Sequence, residues 1–361
     1  MPRLLIAASG TGGHIFPALT IAEELADSWE ISWLGVPDRL EKKVVPRKYQ
    51  MSTIEVRGSK SGWIGKFFYF SRLLLSTFKV ICLLKKKEIQ IVFTTGGYIS
   101  APAILASKIC GIKVILHESN AFPGKVTRLL GRFCDEVALG LPVANQYLRS
   151  SRTVVTGTPV RSSFFLRHPL PSWVPHGVDP LIVVMGGSQG AVGLNNMFRE
   201  VIPWLLNQNC RIVHITGNND EVSTIEDSRF VERDFVNDTS SLIQHADLVV
   251  SRAGAGALSE FALCKTPAIL IPYPYSADNH QEFNAAYAAK LGAALIIHQS
   301  ELSTRGLRRA IKLLLDSYYS SSKSQSDDLL NQMRNGMDQM AVRDAHFRLV
   351  AILNQYTQSL R

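Results

Sequence analysis

The chain opens on Leu4–His14, LLIAASGTGGH, an apolar run that leads into a glycine-rich turn and then into a helical pattern. The same construction recurs in mid-chain as Leu181–Ala191, LIVVMGGSQGA. Runs that are apolar on both faces are typical of parallel strands covered by helices. The repeat therefore predicts two nucleotide-binding-type α/β units, which begin near residues 3 and 180.

Further apolar runs predict more strands, with helical patterns between them. The predicted strands are 4–8, 30–35, 89–94, 113–117, 136–140, 181–185, 211–216, 247–251, 268–272 and 293–297. The clearest helical patterns are 16–26, 191–206 and 279–291. Strand–helix alternation throughout the chain predicts the α/β class with doubly wound sheets.

Three other segments organise the second half of the chain. Four prolines in Leu166–Pro180 predict an irregular linker. The serine-rich segment Ser317–Ser326 predicts a surface loop, and Leu329–Leu360 predicts one or two closing helices.

Composition limits the class of protein. The chain has 361 residues, 46% of them hydrophobic, and a net charge of +9. This excludes a disordered chain, and chains beyond about 250–300 residues usually form more than one domain. The positive charge favours an anionic partner: nucleic acid, a membrane surface or a phosphorylated substrate. Five scattered cysteines without a Cys-x-x-Cys pair, and an N-terminus unlike a signal peptide, predict a reducing, cytoplasmic setting.

Both glycine turns can present backbone N–H groups to a phosphate or a sugar at a helix N-terminus. The alternative is that they only make tight strand-to-helix turns. The dinucleotide fingerprint fails, because it requires glycine where the chain has Ile15, Gln189 and Val192. No Walker A motif is present either. Hydride transfer and ATP hydrolysis are therefore disfavoured.

Part of the positive charge lies in the most apolar segment, Gly62–Lys87. Basic residues interrupt this segment, which argues against a membrane-spanning helix. Helical spacing predicts one polar face that carries Arg72, Ser76, Lys79 and Lys86. Such a basic amphipathic helix suits an anionic membrane surface. The alternative is an ordinary core helix with solvated lysines, and nucleic acid is the weaker interpretation of the charge.

Two polar clusters follow strands of the second half, Ser251–Glu260 and Pro272–Asn284. Ligands of open α/β sheets bind at the carboxyl ends of the strands. Glu260, in the first turns of a helix, could accept hydrogen bonds from ribose hydroxyls. The alternative is a carboxylate that is favoured there by the helix dipole.

Seven motifs occur along the chain in one order. They are Gly10–His14 (GTGGH), Gly96–Ser100 (GGYIS), His117–Asn120 (HESN), Gly157–Arg161 (GTPVR), Gly186–Ala191 (GGSQGA), Arg252–Ala255 (RAGA) and Asp278–Gln281 (DNHQ). Over nearly its whole length the chain thereby resembles the bacterial N-acetylglucosaminyltransferases of peptidoglycan synthesis, which convert lipid I to lipid II. It departs from their common pattern at Ser9, Ser119 and Thr158.

The resemblance implies a GT-B fold, in which two Rossmann-like doubly wound domains face each other across a cleft. Residues 1–163 would form a membrane-facing acceptor domain, joined by a C-terminal helix over about 341–361. Residues 164–340 would form the domain that binds UDP-N-acetylglucosamine (UDP-GlcNAc). The protein would be peripheral, on the cytoplasmic face of the plasma membrane, with lipid I as acceptor and no nucleic-acid partner.

The resemblance also implies the reaction and the donor contacts. N-acetylglucosamine would move, with inversion, from UDP-GlcNAc to the MurNAc 4-hydroxyl of undecaprenyl-linked lipid I. The donor contacts implied are Thr11, Gly12, Gly13, Asn120, Arg161, Ser188, Gln189, Val236, Ala255, Glu260 and Gln281. Within this set Glu260 would hold the ribose, and the main chain of Val236 would contact the uracil.

The catalytic groups are predicted from the residue chemistry. Imidazole suits the acceptance of a hydroxyl proton at neutral pH, so His14 is the candidate base. Its alternative is a structural histidine that caps the first helix. Glu118 could orient the acceptor or assist the base, or it could be a helix N-terminal carboxylate. No Asp-x-Asp motif is present, so we expect turnover without metal or cofactor, with Arg161 and backbone N–H groups meeting the diphosphate.

Other functions are compatible with the same pattern. Within enzymes they are a different GT-B lipid glycosyltransferase and a UDP-GlcNAc 2-epimerase. From another class, a non-catalytic scaffold that binds a nucleotide sugar at the membrane would carry similar glycine turns. Donor turnover separates these alternatives.

Overall fold

A computed structural model describes residues 1–56, 63–186, 191–217, 224–319 and 328–358. The chain divides into two compact units. Unit 1 comprises Met1–Arg161 and Asp344–Arg361, and unit 2 comprises Ser162–Arg343.

Each unit is built on a parallel sheet. Among the described residues, unit 1 has seven strands in the order β3-β2-β1-β4-β5-β6-β7, and unit 2 has six in the order β10-β9-β8-β11-β12-β13. The strands are β1 Arg3–Ala7, β2 Glu30–Gly35, β3 Gln50–Thr53, β4 Ile91–Thr94, β5 Lys113–Glu118, β6 Glu136–Leu139, β7 Thr153–Val155, β8 Leu181–Met185, β9 Arg211–Ile215, β10 Phe230–Arg233, β11 Leu248–Ser251, β12 Ala268–Leu270 and β13 Ala294–Ile296. The predicted doubly wound α/β class is confirmed.

Helices connect the strands. They are α1 Gly12–Leu25, α2 Glu41–Val44, α3 Trp63–Lys86, α4 Ser100–Cys110, α5 Lys125–Leu130, α6 Val192–Arg199, α7 Ile202–Asn207, α8 Thr239–His245, α9 Ala255–Cys264, α10 His280–Lys290, α11 Thr304–Tyr319, α12 Leu329–Met340 and α13 Ala345–Gln358. The last helix, α13, belongs to unit 1, where it packs against α1.

The core of unit 1 follows the alternation of side chains along β1. Leu4 and Ile6 point to one face of the sheet, where they pack with α1 and α13. Leu5 and Ala7 point to the other face, where they pack with α3 and α4. Since both faces are covered, the strand is apolar throughout, as the opening run predicts. In unit 2 the corresponding strand contributes Ile182 and Val184 to one core cluster.

All ten predicted strands are present, but three strands were not predicted. These are β3, β7 and β10, which lie at the edges of the two sheets. Their sequences, QMST, TVV and FVER, are short and partly polar. An edge strand is covered less completely than a central one, so it lacks the continuous apolar run that identifies the others.

The single helix predicted over 191–206 is wrong, because the segment forms two helices, α6 and α7. Pro203 has no N–H to donate to Arg199 four residues earlier, which interrupts the helix. Leu166–Pro180 has no helix or strand, as predicted. Ser317 belongs to α11, so the predicted serine-rich loop does not begin there; residues 320–326 of that prediction lie outside the described residues.

The polar face predicted for α3 is wrong at Ser76. This residue is buried, and its hydroxyl donates a hydrogen bond to the carbonyl oxygen of Glu55 at 3.1 Å. Arg72 and Lys79 are exposed, as are the apolar side chains of Phe70, Leu74, Leu75 and Phe78. The outer surface of α3 is therefore mixed basic and apolar. No helix in the part of the chain that the structure describes has the length and apolarity of a membrane span.

Candidate active site

The first glycine turn joins β1 to α1 and places His14 in the first turn of the helix. His14 Nδ1 lies 2.6 Å from the carbonyl oxygen of Thr95, which follows β4. A carbonyl oxygen only accepts, so in the neutral imidazole Nδ1 carries the proton and Nε2 keeps its lone pair. The Thr95 hydroxyl donates to the His14 carbonyl oxygen at 2.8 Å. The imidazole is thus fixed in one tautomer by a residue from the neighbouring strand.

Two glycines lie against the same imidazole ring. Gly96 and Gly97 have φ values of +89° and +77°, in the left-handed region that favours glycine. A Cβ at Gly96 would lie 3.6 Å from Cε1 of His14, and one at Gly97 would lie 3.7 Å from Nε2. The loop after β4 therefore brings bare backbone close to the ring nitrogen that holds the lone pair.

The capping alternative for His14 does not match this geometry. Its ring is bonded to Thr95 rather than to the first turn of α1, and Thr11 at the N-cap makes no side-chain cap bond. The other histidine of this region, His117, is fully buried, and burial lowers its pKa to about 3. A group that stays neutral and enclosed is not placed to take a proton from a substrate, so His14 remains the candidate base.

Glu118 organises the loop after β5. Its Oε1 accepts hydrogen bonds from the backbone N–H and the side-chain Nδ2 of Asn120, at 3.1 and 3.0 Å. Its Oε2 accepts from the Gly124 N–H at 3.0 Å and from the Thr127 hydroxyl at 2.7 Å. The carboxylate is 3% exposed. With both oxygens occupied, it is suited to shaping this loop and to orienting Asn120, rather than to proton transfer.

Arg161 lies beside the first glycine turn. Its guanidinium carbon is 4.9 Å from the ring centroid of Phe16, on α1. A Cβ at Gly12 would approach the same ring to 2.8 Å, so a larger residue there would displace the ring. Within unit 1, the predicted residues Gly12 and Arg161 therefore flank one aromatic ring. Thr11 and Gly13 of the turn are exposed.

Unit 2 has its own cluster at the carboxyl ends of β11 and β12. Ala255 is the first residue of α9, and Glu260 lies in its second turn. The Asn284 side chain donates to the Ala253 carbonyl oxygen at 3.1 Å, which fixes the start of the helix. Glu260 is partly exposed, as a ribose ligand would need to be.

Gln281 has a defined amide orientation. The Tyr273 N–H donates to its Oε1 at 2.9 Å, so its Nε2 group is the end turned away from that contact. Arg252 holds the segment before Tyr273, donating to the Ile271 carbonyl oxygen at 3.1 Å and to Gln299 Oε1 at 2.7 Å. Burial lowers the pKa of Arg252. The loop thus presents an amide donor on a fixed support.

Of three further predicted donor contacts, the structure describes one. Val236 is buried in the loop after β10, beside the exposed Phe235. Ser188 and Gln189 lie outside the described residues. Among the residues that are described, no group of three or more His, Cys, Asp or Glu side chains is arranged to hold a metal ion.

Family comparisons decide the class of protein. Residues 4–139 match the glycosyltransferase family 28 N-terminal domain, and residues 181–340 match the glycosyltransferase family 28 C-terminal domain. The chain belongs to glycosyltransferase family 28. Its two doubly wound units are the GT-B architecture of these enzymes, as predicted.

Curated relatives of this glycosyltransferase share one name. A protein of Prochlorococcus marinus is 64% identical over 356 residues, covering 99% of this chain and 100% of the relative. One from Synechococcus sp. (strain CC9605) is 54% identical, covering 98% and 99%. Both are named UDP-N-acetylglucosamine–N-acetylmuramyl-(pentapeptide) pyrophosphoryl-undecaprenol N-acetylglucosamine transferase.

Solved structures share the fold of this chain. The crystal structure of Acinetobacter baumannii MurG is 26% identical, with a TM-score of 0.74, over 98% of this chain and 100% of that one. A UDP-N-acetylglucosamine 2-epimerase structure from Listeria monocytogenes is 12% identical, with a TM-score of 0.66, over 99% of this chain and 97% of that one. The second likeness shows the fold alone.

The sequence motifs do not include all the groups that hold the candidate site in place. Thr95 follows a predicted strand but belongs to none of the seven motifs. Gly96 and Gly97 belong to one of them. Two consecutive glycines one residue after a buried strand are the available signal, because such a pair allows backbone to approach a neighbouring side chain. Nothing in the sequence pairs Thr95 with His14, which is 81 residues away.

Proposed function

We propose that this family 28 enzyme transfers N-acetylglucosamine from UDP-GlcNAc to the MurNAc 4-hydroxyl of lipid I, giving lipid II for peptidoglycan synthesis. The names of the relatives support the substrates. The observation that carries the chemistry is His14, whose Nδ1 is bonded to the Thr95 carbonyl oxygen while Nε2 keeps its lone pair.

The proposed step balances as a single displacement. Nε2 of His14 accepts the proton of the acceptor hydroxyl while the oxygen of that hydroxyl forms a bond to C1 of the donor sugar. The bond between C1 and the diphosphate oxygen breaks, and UDP leaves with the electron pair. The carbonyl of Thr95 stabilises the imidazolium that forms, since it accepts a hydrogen bond from Nδ1–H. Attack opposite the leaving group converts an α-linked donor into a β-linked product, which NMR of the product would test.

We assign donor contacts to both units. In unit 1 these are Thr11, Gly12, Gly13, Asn120 and Arg161, and in unit 2 they are Ser188, Gln189, Val236, Ala255, Glu260 and Gln281. Glu118 supports Asn120 through two hydrogen bonds. Tyr273 supports Gln281 through one. Each support favours contacts that, within their own unit, are shaped before the substrate binds.

Transfer should persist when divalent metals are removed. The sequence has no Asp-x-Asp motif, and we assign neutralisation of the diphosphate to Arg161 and backbone N–H groups. We expect the initial rate in excess EDTA to stay within about twofold of the untreated rate. The measurement is release of UDP with lipid I analogue present. A rate abolished by EDTA and restored by Mg²⁺ would refute this part of the proposal.

We propose that the outer surface of α3 contacts an anionic membrane on the cytoplasmic face. Phe70, Leu74, Leu75 and Phe78 are each 63–64% exposed, which is unusual for four large apolar residues within three turns of one helix. Arg72 and Lys79 lie among them and suit anionic headgroups. Ser76, Thr77 and Val80 anchor the opposite side of the helix in unit 1.

Introducing negative charge on this surface should release the protein from vesicles. In the double variant Leu75→Glu and Phe78→Glu, two side chains that would enter the headgroup region become charged. Each substitution removes about 1.5–3 kcal/mol of favourable free energy for transfer of an apolar side chain out of water. Since the variant carries two substitutions, we expect its affinity for vesicles to fall at least about a hundredfold. Sedimentation with anionic liposomes at low salt measures it. A matched control is Leu313→Glu, which changes a similarly exposed leucine on α11; equal binding by wild type and double variant would contradict the proposal.

A further inference from the structure

The proline-rich segment between the two family domains is bound to a helix of unit 2. We call Phe164–Trp173 the strap. The Gln244 side chain, on α8, donates from Nε2 to the carbonyl oxygens of Leu166 at 2.7 Å and Phe164 at 3.3 Å. Its Oε1 accepts the N–H of His168 at 3.0 Å. One glutamine therefore satisfies three main-chain groups of the strap.

Two other side chains of α8 also contact main-chain carbonyl oxygens of the strap. Ser241 donates from its hydroxyl to the Pro169 carbonyl oxygen. Nε2 of His245 lies 2.9 Å from the His168 carbonyl oxygen. A segment without helix or strand is thus held by side chains along α8, which explains how a proline-rich run keeps a defined path.

Trp173, at the end of the strap, contacts residues at both ends of the loop between β10 and α8. The guanidinium carbon of Arg233, the last residue of β10, lies 4.4 Å from the Trp173 ring centroid. The indole Nε1 donates to Oδ2 of Asp238 at 3.5 Å. Asp238 is the N-cap residue of α8, yet its carboxylate makes no cap bond to the helix. The two ends of the loop 234–237 therefore converge on one indole.

The loop has other support at its β10 end. The backbone N–H groups of Thr216 and Gly217 donate to the carbonyl oxygens of Arg233 and Asp234, both at 2.9 Å. Phe235 is 61% exposed and contributes little to holding the loop. The contacts of Thr216 and Gly217 hold only the β10 end of the loop. At the α8 end, the hydrogen bond from Trp173 to Asp238 holds the loop.

We propose that Trp173 is a positioning residue for the donor nucleotide, because it fixes the loop that carries Val236. This inference rests on the proposed function, in which the main chain of Val236 contacts the uracil. Main-chain contacts depend on backbone geometry, so a looser loop must be ordered when the nucleotide binds. That cost falls on binding of donor and transition state alike, which raises KM for the donor and leaves kcat unchanged.

The test compares two variants at Trp173 under saturating acceptor. Trp173→Leu removes the aromatic face and the indole N–H, whereas Trp173→Phe keeps a ring over Arg233. We expect about a fivefold rise in KM for UDP-GlcNAc with Leu, and a smaller rise with Phe, since cation–π contacts at exposed sites are modest. kcat and the KM for the acceptor should stay within about twofold of wild type. Trp204→Leu is the matched control, because Trp204 is a partly buried tryptophan on α7 whose ring lies 5.9 Å from Arg308.

Direct UDP binding, measured by calorimetry on the same proteins, separates the two proposals. If wild type binds UDP but does not transfer the sugar, the proposed function fails, and the positioning role is judged by UDP affinity alone. A Trp173→Leu protein with wild-type UDP affinity overturns the positioning role. So does a fall in kcat at unchanged donor KM, or an equal change in the Trp204→Leu control. If wild type does not bind UDP, both proposals are overturned.

Discussion

Replacement of His14 by alanine should lower kcat for sugar transfer about 10²–10⁴-fold, the usual contribution of a positioned general base. The variant loses the Nε2 lone pair, which we propose accepts the proton of the acceptor hydroxyl. His117 cannot substitute, since it is fully buried and its pKa is about 3. Steady-state transfer to a lipid I analogue measures kcat, and UDP affinity measured on the same variant reports whether the donor site is intact.

His14→Asn is the matched variant for this experiment. Its side-chain amide can donate to the Thr95 carbonyl oxygen in place of Nδ1 but offers no basic nitrogen. If His14 is the base, the asparagine variant is as slow as the alanine variant. Recovery of wild-type kcat by asparagine would assign His14 a packing role instead.

Replacement of Glu118 by alanine should destabilise the protein and weaken donor binding together. It leaves the Gly124 N–H, the Thr127 hydroxyl and two donors of Asn120 without their carboxylate acceptor. Losing a hydrogen bond to a charged group, or leaving a buried donor without an acceptor, destabilises the folded state by about 1–3 kcal/mol. We therefore expect the free energy of unfolding to fall by about 2–4 kcal/mol. Chemical denaturation measures the fall.

Two further variants separate shaping of the loop from participation in chemistry. Glu118→Gln keeps the size of the side chain, but its amide nitrogen meets donors where an acceptor is needed, so it should not restore stability. Thr127→Val removes one of the four hydrogen bonds to Glu118, so it should lower the free energy of unfolding by less than Glu118→Ala does. A Glu118→Gln protein with wild-type stability and reduced kcat would contradict the loop-organising role and favour assistance to the base.

The central strands were predictable because both of their faces are buried. A run such as Leu4–Ala8 has to be apolar at every position when helices cover both sides of the sheet. Edge strands have no such requirement, and β3, β7 and β10 were missed for that reason. The break between α6 and α7 was readable in principle from Pro203. The burial of Ser76 was not, because a serine on a helix can face solvent or bond to a distant carbonyl such as that of Glu55.

The candidate site was predictable to the level of its motifs. The glycine turn and His14 follow directly from the opening segment, in which an apolar strand leads through the turn into a helix that begins at Gly12. The tautomer of His14 depends on Thr95, a partner from another strand, and no local pattern encodes that pairing. The same holds for Glu118, where the sequence left three roles open. Only the positions of Asn120, Gly124 and Thr127 show that both of its oxygens are occupied.

The most direct test supplies purified protein with UDP-GlcNAc labelled in the sugar, together with a lipid I analogue. We predict a labelled lipid product whose formation requires both substrates and releases one UDP per sugar transferred, and we predict that His14→Ala nearly abolishes that product. Label that stays on the nucleotide and appears in the 2-epimer of the donor would contradict the proposed transfer. So would a wild-type protein that binds UDP yet forms no labelled lipid in the presence of the acceptor.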